Sequence, residues 1–284
     1  MTDSSQTVSI IVVTHNSQPV LIPFLESLSI ALSNITAQVI VIDNASQDGT
    51  LDVIKSRYPQ AQLIENNENI GFARAVNQGA KLAQSEWLLL LNPDLELESD
   101  CIRNLIEQAS SYKDIGLATG RIKFPDGSFQ SVCRNLPTLG NLIFSRGFFL
   151  SRIFSKSQAY TLPDYDNNTP VPAVAGTMML TRRSIWEQLG GFDERFFMFM
   201  EDTDLSKRAI EIGLINQYLP SATAIHKWGR GSSISHQRRR YYHHLSLWHY
   251  FRKHNNWLLV WTIVLVFLWM NFLLGSIVPC KRHS

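Results

Sequence analysis

Three short, almost unbroken apolar runs set the pattern of the first hundred residues: Val8–Val13 (VSIIVV), Gln38–Ile42 (QVIVI) and Glu86–Leu91 (EWLLLL). They are too short for helices and show little alternation. That is the signature of strands buried on both faces of a largely parallel sheet. Between them, Pro19–Leu32, Thr50–Tyr58 and Phe72–Ala83 carry apolar residues at helical spacing. Ser99–Ser111 reads as a further helix with Ser99 as its N-cap. Strand and helix in alternation predict an α/β fold, with a Rossmann-like, mostly parallel sheet flanked by helices. Beyond Ser111 the pattern loosens. Residues 124–166 are rich in Gly, Pro, Ser and Phe and read as a loop-rich insertion. Ala173–Leu180 and Ala222–Ile225 read as strands, and Asp202–Ile212 as a helix.

The end of the chain follows a different rule. Trp257–Val278 is 22 residues without a charge. As a helix it is roughly 33 Å long, against a bilayer hydrocarbon core of about 30 Å. It reads either as a transmembrane or membrane-inserted helix or as a buried core helix, and Asn271, Gly275 and Pro279 would let it bend. Before it, residues 235–256 hold Arg238, Arg239, Arg240, Arg252 and Lys253 among Tyr241, Tyr242, Trp248 and Tyr250, as in a basic helix lying on a membrane surface. Only Lys281 and Arg282 follow the apolar run. The heavier basic flank predicts that residues 1–234, the globular domain, stand on the cytoplasmic face of the membrane.

Charge sharpens this division. Residues 1–211 hold 17 Lys+Arg against 24 Asp+Glu, whereas residues 212–284 hold 9 Lys+Arg and no acid. An acidic globule with a basic tail points to an anionic partner, and the adjoining apolar run favours lipid over nucleic acid. The start of the chain lacks the basic and apolar regions of a signal peptide. Three cysteines without a paired spacing, Cys101, Cys133 and Cys280, fit a reducing compartment.

Candidate chemistry sits where the strands end, since ligands of open α/β sheets bind outside the carboxyl ends of their strands. Thr14-His15-Asn16 follows the first run, Asp43-Asn44-Ala45-Ser46-Gln47-Asp48 the second, and Asn92-Pro93-Asp94 the third. Asp43 is placed to accept hydrogen bonds from a base or ribose, while Ser46 or Asp48 can cap the helix at Thr50. In Asn69–Gly79, Gly71 allows close backbone approach, the following helix start favours anions, and Arg74 adds a cation. Pro93 keeps Asn92 extended. Asp94 then offers a carboxylate to a hard divalent cation, with His226 either a second ligand or a structural residue. Glu201, Asp202 and Asp204 supply either a general base with its support or an acidic first turn of a helix.

Together the pieces VSIIVVTHN, VIVIDNASQDGT, NENIGFARAVNQG, LLLLNPD, AGTMMLTRR, GGFDERFFMFMEDTDLSKR and HKWGRGSS resemble glycosyltransferase family 2, in unbroken order from Val8 to Ser233. The spelling NPD and the FDERFFMFMED block resemble its rhamnosyltransferase-like branch. The resemblance implies a GT-A fold, a nucleoside-diphosphate sugar donor (dTDP-rhamnose in that branch) and a saccharide or lipid-linked saccharide acceptor. It places Thr14, Asn16, Asp43, Asn44 and Ser46 along the nucleotide, and Asn69, Gly71, Phe72, Arg74 and Asn77 around the same pocket. Asp94 stands where the family's D-x-D motif holds Mg²⁺ or Mn²⁺, with Asn92 in the first position, and His226 matches a metal-linked histidine. Asp202 matches the general base, and Gly176, Gly191 and Glu201 lie on the acceptor side. An inverting transfer in bacterial surface polysaccharide synthesis follows from the same resemblance. A sugar nucleotidyltransferase would want a Gly-rich, basic loop where Thr14–Pro19 stands. A non-catalytic nucleotide-sugar-binding protein would not need both Asp94 and Asp202.

Overall fold

The computed structural model describes residues 7–138, 161–227, 235–255 and 258–277. Its opening half is the expected alternation: β1 (Thr7–Thr14), α1 (Gln18–Ala31), β2 (Thr36–Asn44), α2 (Thr50–Arg57), β3 (Gln62–Asn66), α3 (Phe72–Ala80) and β4 (Trp87–Leu91). These strands are parallel, in the order β3-β2-β1-β4. The apolar runs lie at the centre: Ile10, Ile40 and Leu89 are fully buried. Gln62–Asn66 carries no comparable run (QLIEN), because as an edge strand it is only partly covered.

The sheet then becomes mixed. β5 (Leu95–Leu97) and α4 (Cys101–Ser110) lead to β6 (Ile115–Lys123), a central strand that the loosened pattern did not reveal. The helix caps on Asp100, without a side-chain cap bond, so the expected Ser99 cap is not formed. Within the expected insertion, β7 (Phe129–Gln130) pairs with β6, β8 (Cys133–Arg134) bridges to Thr161, and residues 139–160 lie outside the described residues. After β9 (Thr169–Pro170), the run predicted as one strand is two, β10 (Ala173–Val174) and β11 (Met178–Arg182). Ala175-Gly176-Thr177 breaks them apart, and Ala175 N bonds back to Val132 O. β11 runs antiparallel between β4 and β6. α5 (Arg183–Leu189) and α6 (Glu201–Glu211) precede β12 (Ile215–His226), which is parallel to β6 and antiparallel to β5.

Two helices complete the described chain, α7 (His236–His254) and α8 (Leu258–Ile277). Ser235 caps the first, its hydroxyl accepting from Arg238 N. Val264 and Leu268 of α8 pack with Leu247, Tyr250 and Phe251 of α7 against Phe196 and Met200 of the globular domain. Leu258, Ile263, Leu265, Val266, Trp269 and Met270 are exposed. Among the described residues no helix is long and apolar enough to cross a membrane. The described part of the expected membrane segment is thus a helix with one face docked on its own domain and another apolar face uncovered.

α7 is pinned by charge. Asp204, fully buried on α6, receives Arg208 at 2.8 Å, Lys253 at 2.8 Å and His254 at 2.8 Å. Burial alone would raise the Asp204 pKa, but the His254 hydrogen bond and the two cations outweigh it and hold it low. Asp193 is likewise held well below the usual carboxylate range, by Arg195 above all and also by Lys253.

Candidate active site

Parallel register brings the polar strand ends together. Thr14 is level with Asp43, and Val12 with Leu91, so Asn92-Pro93-Asp94 emerges beside Val13 and Thr14. Antiparallel pairing of β5 with β12 sets His226 opposite Leu95, next to Asp94, and Lys227 N bonds to Asp94 O at 2.9 Å. Residues 132 apart thus become neighbours: His226 Nε2 lies 2.9 Å from Asp94 Oδ1.

Two cavities meet at this point. The first, about 180 Å³, is lined by Thr14, His15, Asn44, Asn69, Gly71 and the loop at Phe197–Met198. The second, about 390 Å³, is lined by Arg134, Gly176, Glu201, Asp202, His226 and Arg239. Phe72, Asn92, Asp94 and Met198 border both. The larger falls in the size range of small-ligand sites.

Behind the first cavity, Asn16, Asp43 and Ser46, which were expected along the nucleotide and do not line it, brace the strand ends that do. Buried Asp43 accepts from Thr14 Oγ1 at 2.8 Å, from Ser46 N at 2.8 Å and from Ser46 Oγ at 2.5 Å. Its carboxylate therefore ties β1 to the loop after β2. Asn16, at φ +53°, accepts from Gln47 N at 2.7 Å and donates its own N–H to Ser46 Oγ at 2.8 Å. Asn44 donates to Gly71 O at 3.2 Å, and Asn69 Oδ1 accepts from Gly71 N at 3.0 Å. Gly71 sits at φ +87°, and a Cβ there would lie 2.6 Å from Phe197 O. Phe72 N bonds to that same carbonyl at 2.7 Å. The close backbone approach expected of Gly71 is thus made to the protein's own Phe197.

Some expected residues stand back from both cavities. Arg74 is largely exposed and pairs with Glu194 at 3.7 Å. Asn77 clamps the chain at Phe192, donating to its carbonyl at 2.8 Å and accepting from its N–H at 2.9 Å. Gly191, at φ +69°, lies against Asn77 and Trp186. Asp48 Oδ1 accepts from Thr50 N at 3.0 Å, which settles the start of α2 as an Asp48 turn rather than a Ser46 cap.

The second cavity holds the charges. Asp202 Oδ2 accepts from Gly176 N at 3.0 Å and lies 3.8 Å from Arg134 Nη1. Its Oδ1 accepts from Thr203 N at 2.6 Å and from the Thr203 hydroxyl at 3.1 Å. The carboxylate is thus fixed, and Oδ2, with one hydrogen bond, retains acceptor capacity. Glu201 is buried beside it, and its Oε2 has no hydrogen-bond partner among the described residues. Burial, and then the nearby Asp202 charge, push its pKa well up. Phe199 and Met200, just before α6, both have positive φ (+68° and +69°), a strained pair that aims the first turn of the helix at the cavity. Arg134 and Gln130 carried no local sequence signal, and Arg239 was marked only as part of a basic helix. Only tertiary folding brings them to Asp94 and Asp202.

The donor set at Asp94 suits a cation. His226 Nδ1 faces Gln130 Oε1 at 3.0 Å, so with Nδ1–H donating there, Nε2 turns a lone pair toward the Asp94 carboxylate. A second ring proton or a cation near both atoms satisfies that pair. Among the described residues no group of three or more His, Cys, Asp or Glu converges on one point. A divalent ion held by Asp94 and His226 would complete its shell with water and with oxygens such as those of a phosphate.

Comparison with known proteins agrees with this geometry. The model of Glycosyl transferase family 2 matches residues 9–190, and that of Glycosyl transferase family group 2 matches residues 136–281. N-acetylglucosaminyl-diphospho-decaprenol L-rhamnosyltransferase of Mycobacterium tuberculosis is 32% identical over 263 residues, covering 87% of this chain and 85% of that protein. Rhamnosyltransferase WbbL of Escherichia coli (strain K12) is 28% identical, covering 85% and 89%. Among solved structures, mannosyltransferase PcManGT from Pyrobaculum calidifontis, in complex with GDP-Man and Mn²⁺, superposes with a TM-score of 0.60 at 16% identity, over 96% of this chain and 76% of that one. GalNAc-T7 with UDP, GalNAc and Mn²⁺ gives 0.57 at 17%, over 79% and 44%. At such identities the structural likeness is one of fold, the GT-A arrangement of a mixed sheet. The sequence likeness goes further: this chain belongs to glycosyltransferase family 2 and is rhamnosyltransferase-like.

Proposed function

We propose that this glycosyltransferase moves a rhamnosyl unit from a nucleoside-diphosphate donor to a hydroxyl of a lipid-linked saccharide, with inversion at the anomeric carbon. The observation that supports it most is the seam between the two cavities, with Asp94 and His226 on it and Asp202 in the larger one. The donor nucleotide lies in the smaller cavity along Thr14, Asn44, Asn69 and Gly71. The acceptor lies in the larger, beside Gly176, Glu201 and Asp202. The relatives named for rhamnosyl transfer, one of them to a diphospho-decaprenol saccharide, favour this donor sugar and this acceptor class.

Asp94 and His226 would hold Mg²⁺ or Mn²⁺, which when bound supplies positive charge to the leaving diphosphate. Asp202 takes the proton of the acceptor hydroxyl as that oxygen bonds to the anomeric carbon. The bond from that carbon to the diphosphate breaks in the same displacement, and the nucleoside diphosphate leaves with the electron pair. Gly176 N–H and Thr203 hold the Asp202 carboxylate in place. The uncovered apolar face of α8 and the basic α7 support a membrane-surface location on the cytoplasmic side, with α8 lying in the interface rather than spanning.

A donor panel tests the reading. Protein in detergent with Mg²⁺ or Mn²⁺ should release nucleoside diphosphate from dTDP-rhamnose when a lipid-linked saccharide is present. Release from a different donor alone would replace the sugar, and donor binding without transfer across the panel would favour a non-catalytic binding protein.

A further inference from the structure

The acceptor cavity contains more positive charge than the transfer step uses. Arg134 pairs with Asp202. Arg239 enters from α7 and, among the described residues, makes no ion pair. No acidic residue follows Glu211 in the chain, so α7 itself offers it none. Beside these guanidiniums lie Asp94, 2.9 Å from His226, and Glu201, whose burial pushes its pKa up. A cavity with two guanidiniums, one of them uncompensated, suits a ligand that brings its own negative charge. Arginine forks match phosphate oxygens in pairs and lose less on desolvation than lysine does.

The position of Arg239 narrows the ligand. α7 carries Arg239 near its start and packs α8 near its end, so the helix that lines the acceptor cavity also holds α8, whose outer apolar face is uncovered. A lipid-linked saccharide has its charged link between sugar and lipid. Its sugar must reach Asp202 while its chain stays with the apolar face. The link then falls at the cavity wall formed by α7.

We propose that Arg239, together with Arg134, binds the diphosphate that joins an acceptor sugar to its lipid. This assigns a second phosphate-binding site, separate from the donor's at Asp94, and it rests on the lipid-linked acceptor reading above. It also gives selectivity: a sugar carried on a neutral aglycone lacks the group that the two arginines hold.

Binding measured without donor, on the full chain in detergent, tests this. The probes are farnesyl-diphospho-N-acetylglucosamine, the uncharged octyl glycoside of the same sugar, and dTDP. Arg239→Gln should weaken the diphosphate probe by at least about tenfold, the loss expected for one charge-assisted pair. Its affinity for the octyl glycoside and for dTDP should stay unchanged. Arg239→Lys, which keeps the charge and loses the fork, should fall between. Equal binding of the diphosphate probe by Arg239→Gln and wild type overturns the proposal. So does a loss confined to dTDP, which would move Arg239 to the donor. Vesicles of phosphatidylglycerol and of phosphatidylcholine separate the remaining source. If Arg239→Gln loses only phosphatidylglycerol binding, the residue serves the membrane headgroups and the proposal falls. If wild type binds neither saccharide probe, the acceptor reading itself fails, a result distinct from any change at Arg239.

Discussion

The two cavities that meet at Asp94 are built on opposite principles. The smaller is lined mostly by uncharged groups from parallel strand ends and is braced by fixed hydrogen bonds: Asp43 holds Thr14 and Ser46 behind it, and Asn44 and Asn69 both hold Gly71. The larger is lined by ionisable groups from distant elements, with Glu201, Asp202, Arg134, Arg239 and His226 gathered around Gly176. A pocket that must shape itself to a nucleotide gains from rigidity. A pocket that must move a proton and bear charge gains from groups whose protonation the fold can set.

If the seam carries the metal, the largest effect comes from breaking it. Asp94→Ala should lower turnover by about 10²–10³-fold, the scale of losing one electrostatic contact to developing charge. Chelation of divalent ions should do the same to the wild type and little further to the variant. A chelator-insensitive wild type in a transfer assay contradicts the assignment.

The rigidity of the donor side is tested at Gly71. Gly71→Ala places a Cβ against Phe197 O at a positive φ and should cost more than about 1 kcal/mol of stability. Chemical denaturation measures this, and a variant as stable as wild type would mean the turn relaxes freely.

The charge of the acceptor side is tested by pH. Glu201 has its folded-state pKa raised above the ordinary 4.5, so the proton favours the fold. Its contribution is complete below the unfolded value and is lost as pH rises through the folded one. Glu201→Gln should remove that part of the decline in melting temperature as pH rises above about 4.5. Parallel pH profiles for the two proteins would contradict it. Asp193 and Asp204 act in the other sense: their pKa values are lowered, so their contribution is present above about 3.8 and lost as pH falls through the folded values.

The smallest effect belongs to Arg74. It is exposed and, among the described residues, pairs with Glu194 alone, so Arg74→Ala should change stability by less than about 0.5 kcal/mol and leave donor affinity intact. A marked rise in donor Kd by calorimetry would instead bring Arg74 into the donor site.

The same contrast explains what the sequence revealed. The donor half was legible because its strands are apolar runs and its polar residues follow them at once, so β1, β2 and β4 and the residues Thr14, Asn44 and Asp94 could be read locally. The edge strand β3 was missed because partial exposure erases its apolar run. β6 was missed because its small residues (IGLATG) give no clear period. Ala173–Leu180 read as one strand because nothing local shows Ala175 turning to bond Val132. Asp202 and His226 stood out within motifs. Arg134, Gln130 and Arg239 did not, since each owes its place to a pairing or helix packing across the chain. The apolar run at 257–278 was read, from its uncharged length and basic flank, as a membrane helix with a buried core helix as the alternative, and sequence could not show that Val264 and Leu268 would dock on the domain.

The central claim is that Asp202 deprotonates the acceptor at the seam of the two cavities. Single-turnover transfer from dTDP-rhamnose to a lipid-diphospho-saccharide, compared between wild type and Asp202→Asn at saturating donor, tests it most directly. The account predicts a loss of about 10²–10⁴-fold in the transfer rate, with donor Kd unchanged by calorimetry. Transfer by Asp202→Asn at the wild-type rate would contradict it.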